Sequence, residues 1–201
     1  MRIILASASP RRRELTEMLG LEITIIPAVG EERAPVGASP AEVVCALARA
    51  KCEEVAPRCA PGETCVAADT IVCLDGKILG KPHSKAEARE MLAALSGRAH
   101  EVYTGVAVCR DGALMTEAER TTVHFRDISE EEIAAYIATG EPMDKAGAYG
   151  AQGKGAVFVK GIEGDFFNVM GLPLCLLDRM LKAVGAGTIL GFEPSEGVNA
   201  L

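Results

Sequence analysis

The sequence predicts an α/β or α+β domain built on a mixed β-sheet. Short apolar or β-branched runs alternate with amphipathic helical patterns, although not in a regular order. Asp75-Gly76 and Asp111-Gly112 are hairpin turn signals, which join antiparallel strands. Other strands are separated by helical stretches long enough for the crossovers that parallel strands need. Both kinds of strand pairing are therefore expected in one sheet.

The first half of the chain begins with a strand at residues 3–6 and a helix from Pro10 to about Gly20. A second strand is predicted at residues 22–26. Ser39 and Glu42 form a capping box, which starts a helix that ends near residue 56. A central strand follows at residues 65–74, with a return strand at 77–79.

The second half begins with another capping box, Ser84 with Glu87, and a helix to about residue 95. Strands are predicted at residues 100–110, 113–125 and 155–160, with a helix at 130–138 that Ser129 and Glu132 cap. A last helix is predicted to end near residue 184. We expect residues 1–184 to form one domain and residues 185–201, which are glycine-rich and aperiodic, to be a mobile tail.

Size and charge limit the classes of function. A chain of 201 residues can bury a proper core. Acidic residues exceed basic ones by 28 to 21, which argues against general nucleic-acid binding because that needs a basic face. No apolar run approaches the roughly 18 residues of a membrane span. We therefore expect a cytoplasmic protein with no membrane partner, whose local basic clusters bind a small anion.

Neither the cysteines nor the histidines form a ligand pattern. The seven cysteines are odd in number and include no C-x-x-C pair, so neither a disulfide framework nor a zinc site is predicted. The histidines His83, His100 and His124 are widely separated. All of these residues are interpreted as structural or surface residues.

The start of the first helix carries an unusual concentration of positive charge. Ser9 is a suitable N-cap and Pro10 suits the first helical position, so Arg11, Arg12 and Arg13 occupy the first turn. The helix dipole already places partial positive charge there. This pattern, beside a serine-rich turn, favours an anion site. The alternative is a solvated basic turn that Glu14 partly neutralises.

Asp69 is the sharpest single signal, because it interrupts an otherwise apolar strand beside Thr70. An unpaired buried carboxylate costs several kcal/mol, so Asp69 needs a metal ion, a cation or a catalytic use. A structural salt bridge is the alternative. Glu31 and Glu32 lie in a loop, where acidic pairs are usually solvated, but they could join Asp69 around a divalent cation.

Two lysines and one glutamine complete the candidate site. Lys51 lies among apolar helix residues and Lys81 lies between glycine and proline, although either could be a surface charge. With Arg11 and Arg12 they offer four cations, a set suited to polyphosphate. Gln152 lies in a glycine-rich loop, where its amide could recognise the edge of a nucleobase or simply face solvent. There is no P-loop motif.

Several of these segments resemble the motifs of the Maf nucleoside triphosphate pyrophosphatases, in the family's order from residue 4 to about 182. The matching segments are Leu5-Ala6-Ser7-Ala8-Ser9-Pro10-Arg11-Arg12, Ala68-Asp69-Thr70-Ile71-Val72, Gly80-Lys81-Pro82, Leu95-Ser96-Gly97, Asp144-Lys145-Ala146-Gly147-Ala148-Tyr149-Gly150, Gln152-Gly153 and Val169-Met170-Gly171-Leu172-Pro173-Leu174. Ala151, where isoleucine is common, and residues 165–168 depart from the family pattern.

The resemblance implies an α/β fold of the Maf/ITPase type, with a mixed twisted sheet flanked by helices and two lobes around a deep cleft. Members hydrolyse nucleoside triphosphates to the monophosphate and pyrophosphate with a divalent cation, Mg²⁺ or Mn²⁺. They are often homodimers and have been linked to arrest of septum formation. Arg11, Thr70 and Gln152 are similar to the residues of members that act on dTTP and UTP.

The resemblance also implies a role for each candidate residue. Asp69 would be the proton acceptor, and Glu32, with Glu31 as a substitute, would join it in holding the metal. Lys51 and Lys81 would act in catalysis on the triphosphate. Ser7, Arg11, Arg12, Thr70 and Gln152 would bind the substrate. The alternatives are an enzyme for 7-methyl-GTP or another modified purine triphosphate, and a non-enzymatic division regulator that binds nucleotide or nucleic acid.

Overall fold

The computed structural model describes residues 1–191. Its strands are β1 (Arg2–Leu5), β2 (Glu22–Ile25), β3 (Thr64–Leu74), β4 (Lys77–Leu79), β5 (Ala99–Arg110), β6 (Ala113–Phe125) and β7 (Val159–Glu163). Its α-helices are α1 (Pro10–Met18), α2 (Pro40–Val55), α3 (Lys85–Leu95), α4 (Glu130–Ala138), α5 (Phe166–Met170) and α6 (Leu174–Ala183). No helix in this part of the chain is long and apolar enough to cross a membrane.

The strands form one mixed sheet in the order β2-β1-β3-β5-β6-β7, with β4 also paired to β3. β1 is parallel to both β2 and β3, whereas β3, β5, β6 and β7 are antiparallel to one another in turn. The mixed sheet flanked by helices is therefore confirmed. Its parallel part comes from the crossovers through α1 and α2, and its antiparallel part comes largely from the hairpins.

Strand β3 separates two hydrophobic cores on one face of the sheet. Because successive side chains point to opposite faces, its even-numbered residues share one face. Val66 and Ala68 pack under α6, whereas Val72 and Leu74 pack under α3 and α4. Thr70 lies between the two groups. These two cores are the interiors of two lobes, and β3 runs through both.

Helix α2 covers the opposite face of β3. Its buried side chains pack on the odd-numbered residues Cys65, Ala67 and Ile71. The Ser39–Glu42 capping box that starts this helix is present as predicted, with the Ser39 N–H donating to Glu42 Oε2 at 2.8 Å. Local sequence therefore sets where α2 begins, and its apolar face sets which side of the sheet it covers.

The capping predictions hold in part. The Ser129–Glu132 box is present, but at α3 only half of the box forms, because Glu87 accepts from the His83 N–H instead of the Ser84 N–H. Ser9 is the N-cap of α1, yet its side chain makes no capping hydrogen bond. Its backbone N–H donates instead to Ser7 Oγ at 3.2 Å.

One predicted strand in the second half is misplaced, and one short helix was not predicted. The strand predicted at residues 155–160 lies at Val159–Glu163, because Lys154–Phe158 forms a 3₁₀ turn that places Phe158 in the core. The short helix α5 was not predicted. Asp165 caps it, accepting from the Phe167 N–H at 2.7 Å.

The predicted mobile tail is described only at its beginning. Thr188 is buried, and its hydroxyl donates to Asp178 Oδ1 of α6 at 2.9 Å. The Ile189 N–H donates to the same oxygen at 2.7 Å. Thr188 and Ile189 thus pack back onto α6, and the rest of the predicted tail from residue 192 lies outside the described residues.

His100 predicts a pH dependence of stability. Burial lowers its pKa to about 4, and its Nδ1 has no partner within the described residues, so protonation would bury an unpaired charge. The unfolded chain binds this proton first as pH falls from about 6.5. This stabilisation is complete above pH 6.5 and is lost towards pH 4, at a cost of about 3 kcal/mol.

Urea unfolding at a series of pH values measures this effect. The His100→Gln variant should show a shallower fall in unfolding free energy between pH 6.5 and 4, whereas His83→Gln, at an exposed histidine, should match the wild type. An unchanged slope in His100→Gln would exclude His100 as the source.

Candidate active site

One edge of β3 is shared between two partners. β1 pairs with its first residues, as far as Leu5 opposite Val66, and β4 pairs with its last, from Leu79 opposite Val72. The other edge pairs with β5. Among the described strands, none covers residues 67–71 on the shared edge. Asp69 and Thr70 lie in this gap, on opposite faces of the sheet.

A cleft of about 710 Å³ opens at the gap. It brings together residues from both lobes that are far apart in sequence. Every candidate residue except Glu31 lines it: Ser7, Arg11, Arg12, Glu32, Lys51, Asp69, Thr70, Lys81 and Gln152. The basic start of α1 and the carboxylate in β3 therefore line the same cleft.

Glu31 lies outside this site. Its exposed carboxylate pairs with Arg33 at 2.7 Å and does not line the cleft. The two neighbouring glutamates face different directions, and only Glu32 pairs with Lys51, the lysine that also binds Asp69. Within residues 1–191 no group of three His, Cys, Asp or Glu side chains is arranged to hold a metal ion.

Lys51 joins the two cleft carboxylates. Its ammonium lies 2.5 Å from Asp69 Oδ1 and 2.8 Å from Glu32 Oε1. The Lys51 and Asp69 side chains are only 16% and 11% exposed, so this pair is largely shielded from water. The hydrogen bond from Lys51 is the main reason why the pKa of Glu32 is lowered, and burial opposes it. Asp69 thus has the salt bridge considered from the sequence, but it lies inside the cleft.

The close approach of α2 to the sheet allows Lys51 to contact Asp69. Asp69 lies opposite Gly105 in the β3–β5 register, and both face α2. A Cβ atom at Gly105 would lie 2.3 Å from the Val44 carbonyl oxygen. Glycine is therefore required for α2 to lie this close, which brings Lys51 over the strand that carries Asp69.

Arg12 is held by the protein on three sides. Its Nε donates to the Gly171 carbonyl at 2.7 Å, and its terminal nitrogens donate to Ser7 Oγ at 3.1 Å and Thr70 Oγ1 at 3.0 Å. Burial lowers the pKa of this guanidinium, while Asp69 acts in the opposite direction. Arg12 therefore joins α1 to the turn after β1, to β3 and to the end of α5, and two of its N–H groups have no partner within the described residues.

Thr70 uses its hydroxyl inside the protein. Thr104 Oγ1 donates to the Asn168 carbonyl at 3.0 Å, so the proton shared between Thr104 and Thr70, 2.9 Å apart, comes from Thr70. Thr70 also accepts from Arg12. Only one lone pair of the Thr70 hydroxyl has no partner among these contacts. The contact with Arg12 means that Thr70 helps to hold this guanidinium in place.

The cations divide into two groups. Arg12 and Lys51 are engaged by protein groups, whereas Arg11 and Lys81 take part in none of the ion pairs between described residues. Arg13 pairs with Glu17 at 2.7 Å on the surface of α1. Arg11 and Lys81 are consequently the positive charges that the cleft leaves open to an anion.

Gln152 lies at the exposed tip of the glycine-rich loop. The base of this loop is fixed by Glu141, whose carboxylate accepts from Tyr136, Lys154 and Gly155 at 2.9–3.2 Å. The side-chain amide of Gln152 reaches across to α1, where Nε2 donates to Glu14 Oε2 at 3.1 Å.

Sequence reasoning missed two charged residues of the cleft, Asp144 and Lys145. Lys145 is only 12% exposed and donates to Asp144 Oδ1 and the Glu141 carbonyl, both at 2.7 Å. Both residues lie in the segment 144–150, which matches a family motif. Its glycine content indicated a packed or functional loop but no role for a single residue.

Comparisons with known proteins identify the family to which the chain is similar. A family model described as Maf-like protein matches residues 2–184. A Bacillus anthracis protein named dTTP/UTP pyrophosphatase is 50% identical over 181 residues, which cover 90% of this chain and 94% of that protein. Its namesake from Bacillus cytotoxicus is 50% identical over 186 residues, 92% of this chain and 97% of that protein. The solved Staphylococcus aureus Ham1 protein has a TM-score of 0.48 at 14% identity, covering 91% of this chain and 99% of that one.

The contact between Gly105 and α2 predicts an effect on stability. In Gly105→Ala the added methyl would collide with the backbone of α2, so the helix must move. Overpacking of this kind costs about 2 kcal/mol, or roughly 6 °C in Tm. Thermal unfolding checks this, with Gly161→Ala as the control because no atom lies within 4 Å of its added Cβ. Equal Tm values for the two variants would contradict the close approach.

Proposed function

This chain belongs to the Maf family, and from that membership and the geometry of its cleft we propose that it hydrolyses dTTP and UTP to the monophosphate and pyrophosphate. The observation that carries the proposal is the placement of Asp69 in one cleft with Arg11, Arg12, Lys51 and Lys81. A carboxylate that can accept a proton lies among cations that match a triphosphate. The names of the relatives add the pyrimidine substrates.

Asp69 is the group that takes the proton. Lys51 binds its Oδ1, while Oδ2 takes part in no hydrogen bond between described residues. Water attacks the α-phosphorus, Oδ2 accepts a water proton, and the bond from phosphorus to the α–β bridging oxygen breaks. The electron pair of that bond leaves with pyrophosphate, and the water oxygen stays on the monophosphate.

The cations divide the work of binding and stabilising charge. Arg11 and Lys81 are open to the phosphates and would neutralise charge on the departing pyrophosphate. Arg12 is held by Gly171, Ser7 and Thr70, so it offers its remaining N–H groups from a fixed position. Fixed donors need little reorganisation when charge develops, which is the source of their catalytic value.

A divalent cation fits the residues present. Asp69 and Glu32 are hard oxygen donors that share Lys51, which takes up one lone pair of Asp69 Oδ1 and one of Glu32 Oε1, so Asp69 Oδ1 keeps a lone pair for an ion while Oδ2 stays the proton acceptor. Two carboxylates with substrate phosphate oxygens are a ligand set that Mg²⁺ accepts. We therefore propose that Asp69 and Glu32 hold Mg²⁺ or Mn²⁺, without Glu31. Such an ion supplies Lewis-acid withdrawal of charge from the phosphate oxygens.

The remaining expectations stay predictions. A cytoplasmic location and a homodimer are kept as proposals, and no observation of the cleft favours the division-regulator or nucleic-acid alternatives. The purine alternative is an outcome of the substrate test. Pyrophosphate release from dTTP, UTP, CTP, 7-methyl-GTP and ITP, with and without Mg²⁺, separates it from the pyrimidine proposal.

The Asp69→Asn variant tests the proton acceptor. It keeps the shape of the side chain but removes the basic oxygen, so kcat should fall at least about 100-fold while the Tm shows that the protein stays folded. Asp75→Asn, in the exposed β3–β4 hairpin, is the matched control and should keep full activity. Near-normal turnover by Asp69→Asn would remove Asp69 from this role.

The adjacent glutamates offer a matched test of the metal proposal. Glu32→Gln should raise the Mg²⁺ concentration for half-maximal activity by roughly tenfold, because a charged ligand becomes neutral. Glu31→Gln should leave it unchanged, because Glu31 pairs with Arg33 outside the cleft. A Mg²⁺ titration of initial rates measures both, and equal shifts in the two variants would contradict the proposed ligand set.

A further inference from the structure

Glu14 has a contact that the catalytic scheme does not use. It lies on α1 one turn after Arg11, and it accepts from Gln152 Nε2 at 3.1 Å. The alternative considered from the sequence was that Glu14 partly neutralises the arginines of its own helix. Instead Arg13 pairs with Glu17, and Glu14 faces the glycine-rich loop across the mouth of the cleft.

This contact determines which end of the Gln152 amide faces α1. The terminal torsion of a glutamine is broad and roughly twofold, so the amide flips at little intrinsic cost. An ionised carboxylate offers only acceptors, and therefore it binds the NH₂ end and not the carbonyl oxygen. Glu14 is the hydrogen-bond partner of this side chain within the described residues.

The orientation of this amide matters because uracil and cytosine present opposite patterns. Uracil and thymine have a donor at ring position 3 and a carbonyl acceptor at position 4. Cytosine has an acceptor at position 3 and an amino donor at position 4. A glutamine amide can match either base in a bidentate manner, but the two matches require amides flipped by 180°.

The geometry points to Glu14 as a specificity-determining positioning residue that selects uracil and thymine over cytosine. With one N–H of Nε2 bound to Glu14, the amide presents Oε1 to the N3–H of the base and its second N–H to the 4-carbonyl. The flipped amide that cytosine needs would turn Oε1 towards the Glu14 carboxylate, where two acceptors repel. This inference rests on the proposed pyrimidine triphosphatase activity and on recognition of the base by Gln152.

Glu14→Gln is the decisive variant. A neutral amide at residue 14 can donate as well as accept, so either orientation of Gln152 has a partner. The ratio of kcat/KM for UTP to that for CTP should fall about tenfold, the size of one bidentate base discrimination, mainly because CTP hydrolysis rises. Glu17→Gln is the matched control on the same helix, since Glu17 contacts Arg13, and its ratio should equal the wild-type ratio.

Pyrophosphate release from UTP, dTTP and CTP by the wild type, Glu14→Gln, Glu17→Gln and Gln152→Ala distinguishes the outcomes. If the ratio changes in Gln152→Ala but not in Glu14→Gln, the inference is overturned while the proposed function stands. If Glu14→Gln slows all three substrates equally, Glu14 is structural and the inference is also overturned. If the wild type releases no pyrophosphate from UTP or dTTP, the proposed function fails and the inference fails with it.

Discussion

Strand β3 gives one edge to two different partners, and the cleft exists because these partners do not meet. β1 pairs at the beginning of the strand and β4 at its end. The residues between them face open space on that edge, while β5 holds the other edge in register. In this middle stretch Lys51 of α2 pairs with Asp69, so the strand carries an acidic residue without burying an unpaired charge, which would cost several kcal/mol. The two cores on its even-numbered face, on either side of Thr70, form the walls.

The cleft contains two kinds of positively charged side chain: those bound by other protein groups and those without an ion-pair partner within the described residues. Lys51 of α2 binds Asp69 and Glu32, which joins α2 to β3. Arg12 of α1 binds Ser7, Thr70 and Gly171, which joins α1 to the turn after β1, to β3 and to the end of α5. Arg11 and Lys81 have no such ties within the described residues. A polyanion can thus be bound by free charges while the fixed ones stay in position. In the proposed recognition of the base, Glu14 has a similar part, because a charged acceptor binds the NH₂ end of the Gln152 amide.

Local signals predicted most of the fold well. Capping boxes and Asp-Gly turns act within a few residues, so the beginning of α2 and α4 and both predicted hairpins lie where the sequence placed them. The errors lie where tertiary contacts decide. The 3₁₀ turn at Lys154–Phe158 depends on Glu141, which accepts the N–H groups of Lys154 and Gly155. Helix α5 is too short for periodicity to detect, and Asn168, buried against Val102 and Thr121, anchors it.

The sequence by itself determined which residue types could form the site, because a charged residue in an unfavourable local environment can be recognised without a structure. A carboxylate in an apolar strand and arginines at a positive helix end both required a partner, and each residue's environment along the chain was enough to show it. Only the tertiary structure decided which candidates meet. Glu32 pairs with Lys51, whereas its neighbour Glu31 pairs with Arg33. The Thr70 hydroxyl bonds to Arg12 and Thr104 inside the protein. Gln152 contacts Glu14, which is 138 residues away in the sequence. The direction of a side chain depends on the packing of the whole chain, which a local pattern does not contain.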